Sequence, residues 1–262
     1  MLSHLRVFSN MQAVSESLLK VIVELQQLPA LQGSTLGGGT NLAVRYGHRR
    51  SYDIDLFFPD IIGRNGYEAI LKEVSAFYKG AIFGVDYPCN INDQFMFLRF
   101  YVRQVDEAVK VEVLQNMQTY DTPEMINGVS LMSEQDIGML KLITVSNRAN
   151  QKDVYDLDYI TDRLPLSYLM AKLAGKNKLY SEEHHKSIFK LDDEYSPVDE
   201  PELLLKFDMV GHGNLARPGH SNPRVDLLED SKKWLVARSS WRRKVRAYFT
   251  EIGRDFPSTN PQ

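Results

Sequence analysis

The strand-like stretches that stand out in this chain lie before residue 116, and from Ser133 onward the texture is helical. The strand-like stretches are DIDLFF at 53–58, stopped by Pro59, then 81–87, 95–103 and 109–115. FMFLRFYVR at 95–103 is nearly continuous in apolar side chains, which predicts a central strand. Val14, Leu18, Val21, Ile22 and Leu25 recur at helical spacing over 12–27, and Ile70, Leu71, Val74 and Phe77 do so over 66–78. Ser133 with Asp136 three positions on starts a helix that reaches about Asn150. A second helix spans 152–163, and a third spans 166–175, stopped by Gly175. Residues 195–224 carry Pro197, Pro201, Pro218 and Pro223 with little periodicity, so they read as a loop, and a basic helix follows at 229–250. The class is therefore α+β: a mixed sheet flanked by helices over 1–130, then a helical half over 131–262.

Composition narrows the setting. Hydrophobic residues make up 43% of the 262 and charged residues 25%, which is ordinary for a globular chain and excludes disorder or a collagen-like repeat. No apolar run approaches the roughly 20 residues that a membrane-spanning helix needs. The first 14 residues lack the apolar core of a signal peptide. Cys89 is the sole cysteine, so no internal disulfide forms. Together these point to a cytoplasmic protein with no membrane partner.

The net charge of −3 conceals an asymmetry. Asp192, Asp193, Glu194, Asp199, Glu200, Glu202 and Asp208 face only Lys206 within 192–208. Over 229–254 the balance reverses, with Lys232, Lys233, Arg238, Arg242, Arg243, Lys244, Arg246 and Arg254 against Glu229, Asp230 and Glu251. Either the two stretches pair with each other, or the basic one docks a polyanion such as RNA. In the second case Trp234, Leu235, Trp241, Val245 and Phe249 pack inward, and Lys233, Arg243 and Arg246 face out.

The chemistry concentrates in LGGGTNLAVRYGHRRSYDIDLFF at 36–58. Asp53 and Asp55 lie two apart on a strand, so they share a face. Adjacent carboxylates repel unless a cation or proton sits between them, and Mg²⁺ with its oxygen preference suits such a pair. The alternative is a pair of strand-edge acids. Gly37, Gly38 and Gly39 precede Thr40 and the start of a short helix, a layout that brings backbone N–H groups close to an anion. A phosphate cradle upstream of paired carboxylates is the arrangement needed to hold a nucleoside triphosphate with bound metal.

With Gly38-Gly39-Thr40, Gly47-His48-Arg49-Arg50-Ser51 and Asp53-Ile54-Asp55 in this order, the chain resembles the AbiEii/AbiGii toxin family of the polymerase-β-like nucleotidyltransferase superfamily. The resemblance covers about residues 10–210 and implies the nucleotidyltransferase fold. It also implies a third acid on a later strand, matched by Glu112 in Lys110-Val111-Glu112-Val113, with Asp106 and Glu107 as rivals in a turn. A second block follows: Asp136, Lys141-Leu142, Arg148, Lys152-Asp153 and Asp156-Leu157. Lys141 and Arg148 are seven apart on one helical face, with two readings: phosphate-facing cations or a solvated face with local ion pairs.

The resemblance implies catalysis by Asp53, Asp55, Glu112 and Lys141, with Asp53, Asp55 and Glu112 holding two Mg²⁺ ions, or Mn²⁺ in their place. Gly38, Gly39, Thr40, Arg49, Arg50, Arg148, Asp153 and Asp156 would bind the nucleotide. The implied reaction moves NMP from an NTP to an RNA acceptor such as a tRNA 3′ end, in the toxin of a toxin–antitoxin pair with an antitoxin protein as partner. Two other readings stay open: a small-molecule acceptor, or a non-catalytic nucleic-acid-binding module on the same fold. His184-His185 has no third ligand at workable spacing and reads as solvated surface, and Cys89 has no base beside it in sequence. His48 reads either as structural or as substrate-facing.

Overall fold

In the computed structural model, residues 12–89, 91–105, 107–148, 150–190, 195–209 and 224–257 are described. Residues 1–11 of the N-terminal stretch read for a signal peptide, Asp106, the acids at 192–194 and residues 210–223 of the proline-bearing segment lie outside them. The chain divides into two compact units, Met1–Ser133 with Tyr180–Leu191, and Glu134–Leu179 with Asp192–Gln262.

The first unit is built on a seven-stranded mixed sheet. Its strands are β1 (Thr35–Leu36), β2 (Asp53–Phe57), β3 (Ile82–Cys89), β4 (Phe97–Arg103), β5 (Ala108–Leu114), β6 (Glu124–Ile126) and β7 (Val129–Leu131), in the order β3-β4-β5-β2-β1-β7-β6. β3, β4 and β5 form an antiparallel meander, and β5 lies parallel to β2. The alternation expected of a sheet with one apolar face is clear at its centre. Ile54, Leu56, Val111 and Val113 are fully buried, while Asp53, Asp55, Lys110 and Glu112 lie on the opposite face, half-buried.

Helix α1 (Glu16–Gln27) is capped by Ser15, whose hydroxyl accepts from the Leu18 N–H, and it buries Leu18, Val21, Ile22 and Leu25. Helix α2 (Gly38–Tyr46) joins β1 to the loop before β2, and α3 (Gly63–Tyr78) buries Tyr67, Ile70 and Val74. The β6–β7 hairpin is absent from the sequence reading. Its turn, Asn127-Gly128, has φ of 52° and 79°, and an Asn-Gly pair between short strands is the sequence signal for a two-residue hairpin.

The second unit is helical. Helix α4 (Glu134–Asn147) is buried around most of its circumference, and α5 (Gln151–Ile160) starts from the side chain of Asn150, which accepts from the Lys152 N–H. Helix α6 (Leu166–Leu179) runs one turn beyond Gly175, where a stop was expected. A glycine costs a helix about 1 kcal/mol without forbidding it, and the extra turn is tied down by Lys176, 3.6 Å from the buried Asp136. The proline-bearing segment read as loop contains a tight turn, Pro201–Leu205, and a one-turn helix α7 (Lys206–Met209).

Helix α8 (Trp234–Glu251) begins five residues later than its charge pattern suggested. Lys232 is held outside it: its carbonyl accepts from Tyr155 and its N–H donates to Tyr159, at 2.8 and 3.1 Å. The stripe that α8 buries is Ala237, Trp241, Val245 and Phe249, and the Trp241 indole N–H donates to the Leu204 carbonyl at 3.0 Å. Leu235, expected on that face, is exposed because it falls outside this four-residue repeat. Burial of each large side chain in the stripe is worth about 1.5–3 kcal/mol.

Candidate active site

β2 carries the two candidate metal ligands, and its register places them. Across the parallel ladder Asp53 faces Lys110 and Asp55 faces Glu112, and across the next ladder Glu112 faces Arg99 of β4. Arg99, Glu112 and Asp55 therefore form one row across three strands, with Lys110 and Asp53 in the adjacent row. The Lys110 ammonium lies 3.3 Å from Glu112 Oε2 and 3.5 Å from Asp53 Oδ2. Arg99 grips Glu112 Oε1 with Nη2 at 2.6 Å and Nε at 2.7 Å. Burial alone would lower the Lys110 pKa, but attraction to Glu112, then Asp53 and Asp55, raises it above its ordinary value. Burial would raise that of Glu112, and Lys110 and Arg99 together hold it below the usual carboxylate range.

The glycine turn is pressed onto these strands. The Gly37 N–H donates to the Asp55 carbonyl at 2.7 Å. Gly38 has φ +61°, and a Cβ on it would collide with the Asp55 carboxylate. A Cβ on Gly39 would collide with the Arg49 guanidinium, which is buried and donates to the Arg50 carbonyl at 3.0 Å. Thr40 donates to the Asp53 carbonyl and, at 2.8 Å, to Ser51. Asn41 ties the same helix to the carbonyls of Leu36 and Met132 at 2.7 and 2.8 Å. The first turn of α2 thus stands directly beside Asp55, and first-turn N–H groups have no partner within their own helix. Arg50 is exposed, and His48 is buried with its ring edge-on to Tyr46 at 5.6 Å.

The fit to a divalent cation is uneven. Asp53 and Asp55 share a face, and the Asp53 side chain keeps 38% of its surface open. Glu112 does not join them as an open ligand, since both of its oxygens meet cationic groups. Among the described residues no group of three or more His, Cys, Asp or Glu side chains is arranged to hold a metal ion. Of the rival acids, Glu107 accepts from Ser15 at 2.7 Å and from Ser17, so it fastens the start of α1. Lys110 and Arg99 were not selected as site residues from sequence. The alternation Lys110-x-Glu112 signals the first, and only the β4–β5 register brings in the second.

The second block assembles within its own unit. Lys141 of α4 lies 2.8 Å from Asp153 and 2.7 Å from Asp156, both on α5, and Arg148 forks onto Asp153 at 2.8 and 3.2 Å. Lys141, Asp153 and Asp156 are buried, so a solvated helix face is ruled out. Burial works to raise the Asp153 pKa, but Arg148 and Lys141 pull it down to about 2.

On α8, Arg238 and Arg242 meet Asp208 at 2.8 and 2.5 Å, so the acidic and basic stretches do pair at that residue. Lys232 and Lys244 pair instead with Asp158 of α5 and Asp162 in the turn after it, at 2.6–2.8 Å. Lys233, Arg243 and Arg246 are exposed, with Arg246 over the Phe256 ring at 4.6 Å. His185, read as solvated, is half-buried edge-on to Tyr180, and His184 is exposed.

No helix among the described residues is long and apolar enough to cross a membrane. The family model described as the AbiEii nucleotidyl transferase toxin of type IV toxin–antitoxin systems matches residues 21–256. An uncharacterized protein of Aquifex aeolicus (strain VF5) is 29% identical over 132 residues, which are 48% of this chain and 56% of that protein. The match thus spans little more than half of that relative's length. Among solved structures the chain is similar to MenT4, a nucleotidyltransferase toxin from Mycobacterium tuberculosis H37Rv, at a TM-score of 0.47 and 18% identity, covering 97% of this chain and 84% of that one.

Proposed function

We infer, for a chain that belongs to the AbiEii nucleotidyl transferase toxin family, that it transfers NMP from an NTP to an RNA acceptor such as a tRNA 3′ end. The observation that carries this reading is the seating of the Gly38 turn against the Asp55 carboxylate. One surface then offers first-turn backbone N–H groups for phosphate oxygens beside paired carboxylates for Mg²⁺. Asp53 and Asp55 would hold the ion, and Gly38, Gly39 and Thr40 would seat the terminal phosphates. A bound Mg²⁺ supplies charge neutralisation at the departing pyrophosphate and lowers the pKa of an acceptor hydroxyl.

The rest of the work falls to the chain itself. Gly38 and Gly39 keep the turn clear of side chains, so a phosphate can approach the backbone. Arg49, packed against Gly39, adds a fixed positive charge behind that turn. Arg50, exposed on the same loop, is the candidate for contact with the nucleotide. Asp153 and Asp156 hold the Lys141 ammonium within the helical unit rather than touching nucleotide themselves. The exposed Lys233, Arg243 and Arg246 suit an RNA backbone. An antitoxin partner and a cytoplasmic setting belong to the same reading.

The test is incubation of the protein with each α-labelled NTP, Mg²⁺ and total tRNA, with small hydroxylated acceptors in parallel. Label entering the RNA fraction is the expected result. Label entering only small acceptors would reassign the acceptor, and none entering either would remove the activity.

A further inference from the structure

The three-carboxylate, two-metal arrangement implied by sequence meets an obstacle in the register of β2, β4 and β5. Glu112 lies between Arg99 on one side and Asp55 on the other, and the ladders on both sides fix it there. Oε1 takes two hydrogen-bonding nitrogens of Arg99, and Oε2 faces the Lys110 ammonium. To become a ligand, Glu112 would have to leave a guanidinium fork at 2.6–2.7 Å. The Lys110 Nζ meanwhile stands between Asp53 and Glu112, within 3.5 Å of both. That is the place a cation bridging these two strands would take.

Charge points the same way. Asp53, Asp55 and Glu112 against Lys110 and Arg99 leave a formal charge of minus one on this face. One divalent ion turns that to plus one. Two would leave plus three, with an ammonium and a divalent ion competing for the same pair of carboxylates. Mg²⁺ is ordinarily held by one or two carboxylates, with water and phosphate filling its other positions.

Resting on the nucleotidyl-transfer reading, we propose that this site binds one divalent ion through Asp53 and Asp55, and that Lys110 supplies the second positive charge from within the fold. Glu112 is then a positioning residue: with Arg99 behind it, it holds the ammonium beside Asp53. The chain carries a resident cation where a second metal would otherwise enter.

The test counts Mn²⁺ bound per full-length chain by electron paramagnetic resonance, with a saturating nonhydrolysable NTP analogue and a correction for Mn²⁺ on analogue free of protein. The expected counts are one for the wild type, one for Glu112→Gln, none for Asp55→Asn and two for Lys110→Met. The last variant removes the ammonium between Asp53 Oδ2 and Glu112 Oε2 and leaves Arg99 on Glu112 Oε1. Two ions in the wild type, with one lost in Glu112→Gln, would overturn the inference and leave nucleotidyl transfer standing. A count that stays at one in Lys110→Met would overturn the role given to that lysine, even if Glu112→Gln fails to fold. No ion bound to the wild type would remove the metal-dependent reading itself, and this inference with it.

Discussion

Two clusters of opposed charge sit in this chain, one in each unit, and they differ in what surrounds them. On the sheet, Asp53, Asp55, Lys110, Glu112 and Arg99 lie half-buried, and Lys110 keeps 3.3–3.5 Å from its carboxylates. Between α4 and α5, Lys141, Asp153 and Asp156 are buried, with contacts of 2.7–2.8 Å. In water a displaced charge can be resolvated, and in the interior it cannot. The half-buried Asp53 and Asp55 can therefore take up a ligand at small cost to the fold. The helical cluster is bound to folding first, whatever else it does.

That contrast is exposed most sharply by Lys141→Ala. It strands two buried carboxylates, so stability should fall by about 3–5 kcal/mol, read as the midpoint shift in urea unfolding. A loss below about 0.5 kcal/mol, as for an ordinary surface site, would erase the distinction between the clusters. Gly38→Ala probes the sheet side. Its positive φ and the Asp55 carboxylate both oppose a Cβ, which predicts a cost of about 3 kcal/mol, at the upper end for local backbone strain. Unchanged thermal stability would mean that the turn is looser than its geometry.

Acid titration separates the clusters further. The Asp153 pKa lies at about 2 in the folded chain against an ordinary 3.8. Because the folded value is depressed, its contribution is complete above roughly pH 4 and is lost as pH falls toward 2. The shift corresponds to roughly 2 kcal/mol. Unfolding free energies measured across that window should show this slope in the wild type, and Asp153→Asn should lose it. An unchanged slope in the variant would assign the titration to other groups. The smallest effect is expected on α8. Charge reversal of Arg243 and Arg246 should alter stability by under about 0.5 kcal/mol, yet weaken RNA binding and flatten its salt dependence. Reversal of Arg242, which meets Asp208 at 2.5 Å, should instead lower thermal stability.

Much of the sheet cluster was legible in sequence because it depends on local rules. A strand period of two puts Asp53 and Asp55 together, and consecutive glycines before Thr40 mark a close backbone approach. Arg99 was not legible, since its tie to Glu112 exists only through the β4–β5 register. The burial of Lys141 was harder still to read. A charged residue on a helix looks the same in sequence whether it faces water or a buried aspartate, and α4 is enclosed on too many sides to show an apolar stripe. The return of Tyr180–Leu191 to the first unit left no compositional mark either. The late start of α8 depends on two tyrosines of α5 that hold Lys232 outside the helix, a contact between segments some seventy residues apart.

Asp53 and Asp55 are proposed to organise nucleotidyl transfer. The most direct test compares wild type with Asp55→Asn, using α-labelled and γ-labelled NTP with Mg²⁺ and tRNA. Wild type should pass α-label and no γ-label into RNA. The variant should transfer at least about a hundredfold less, the loss expected when a preorganised charge is removed, while melting at the same temperature or slightly higher as carboxylate repulsion is relieved. Full transfer by a folded Asp55→Asn protein would contradict the assignment.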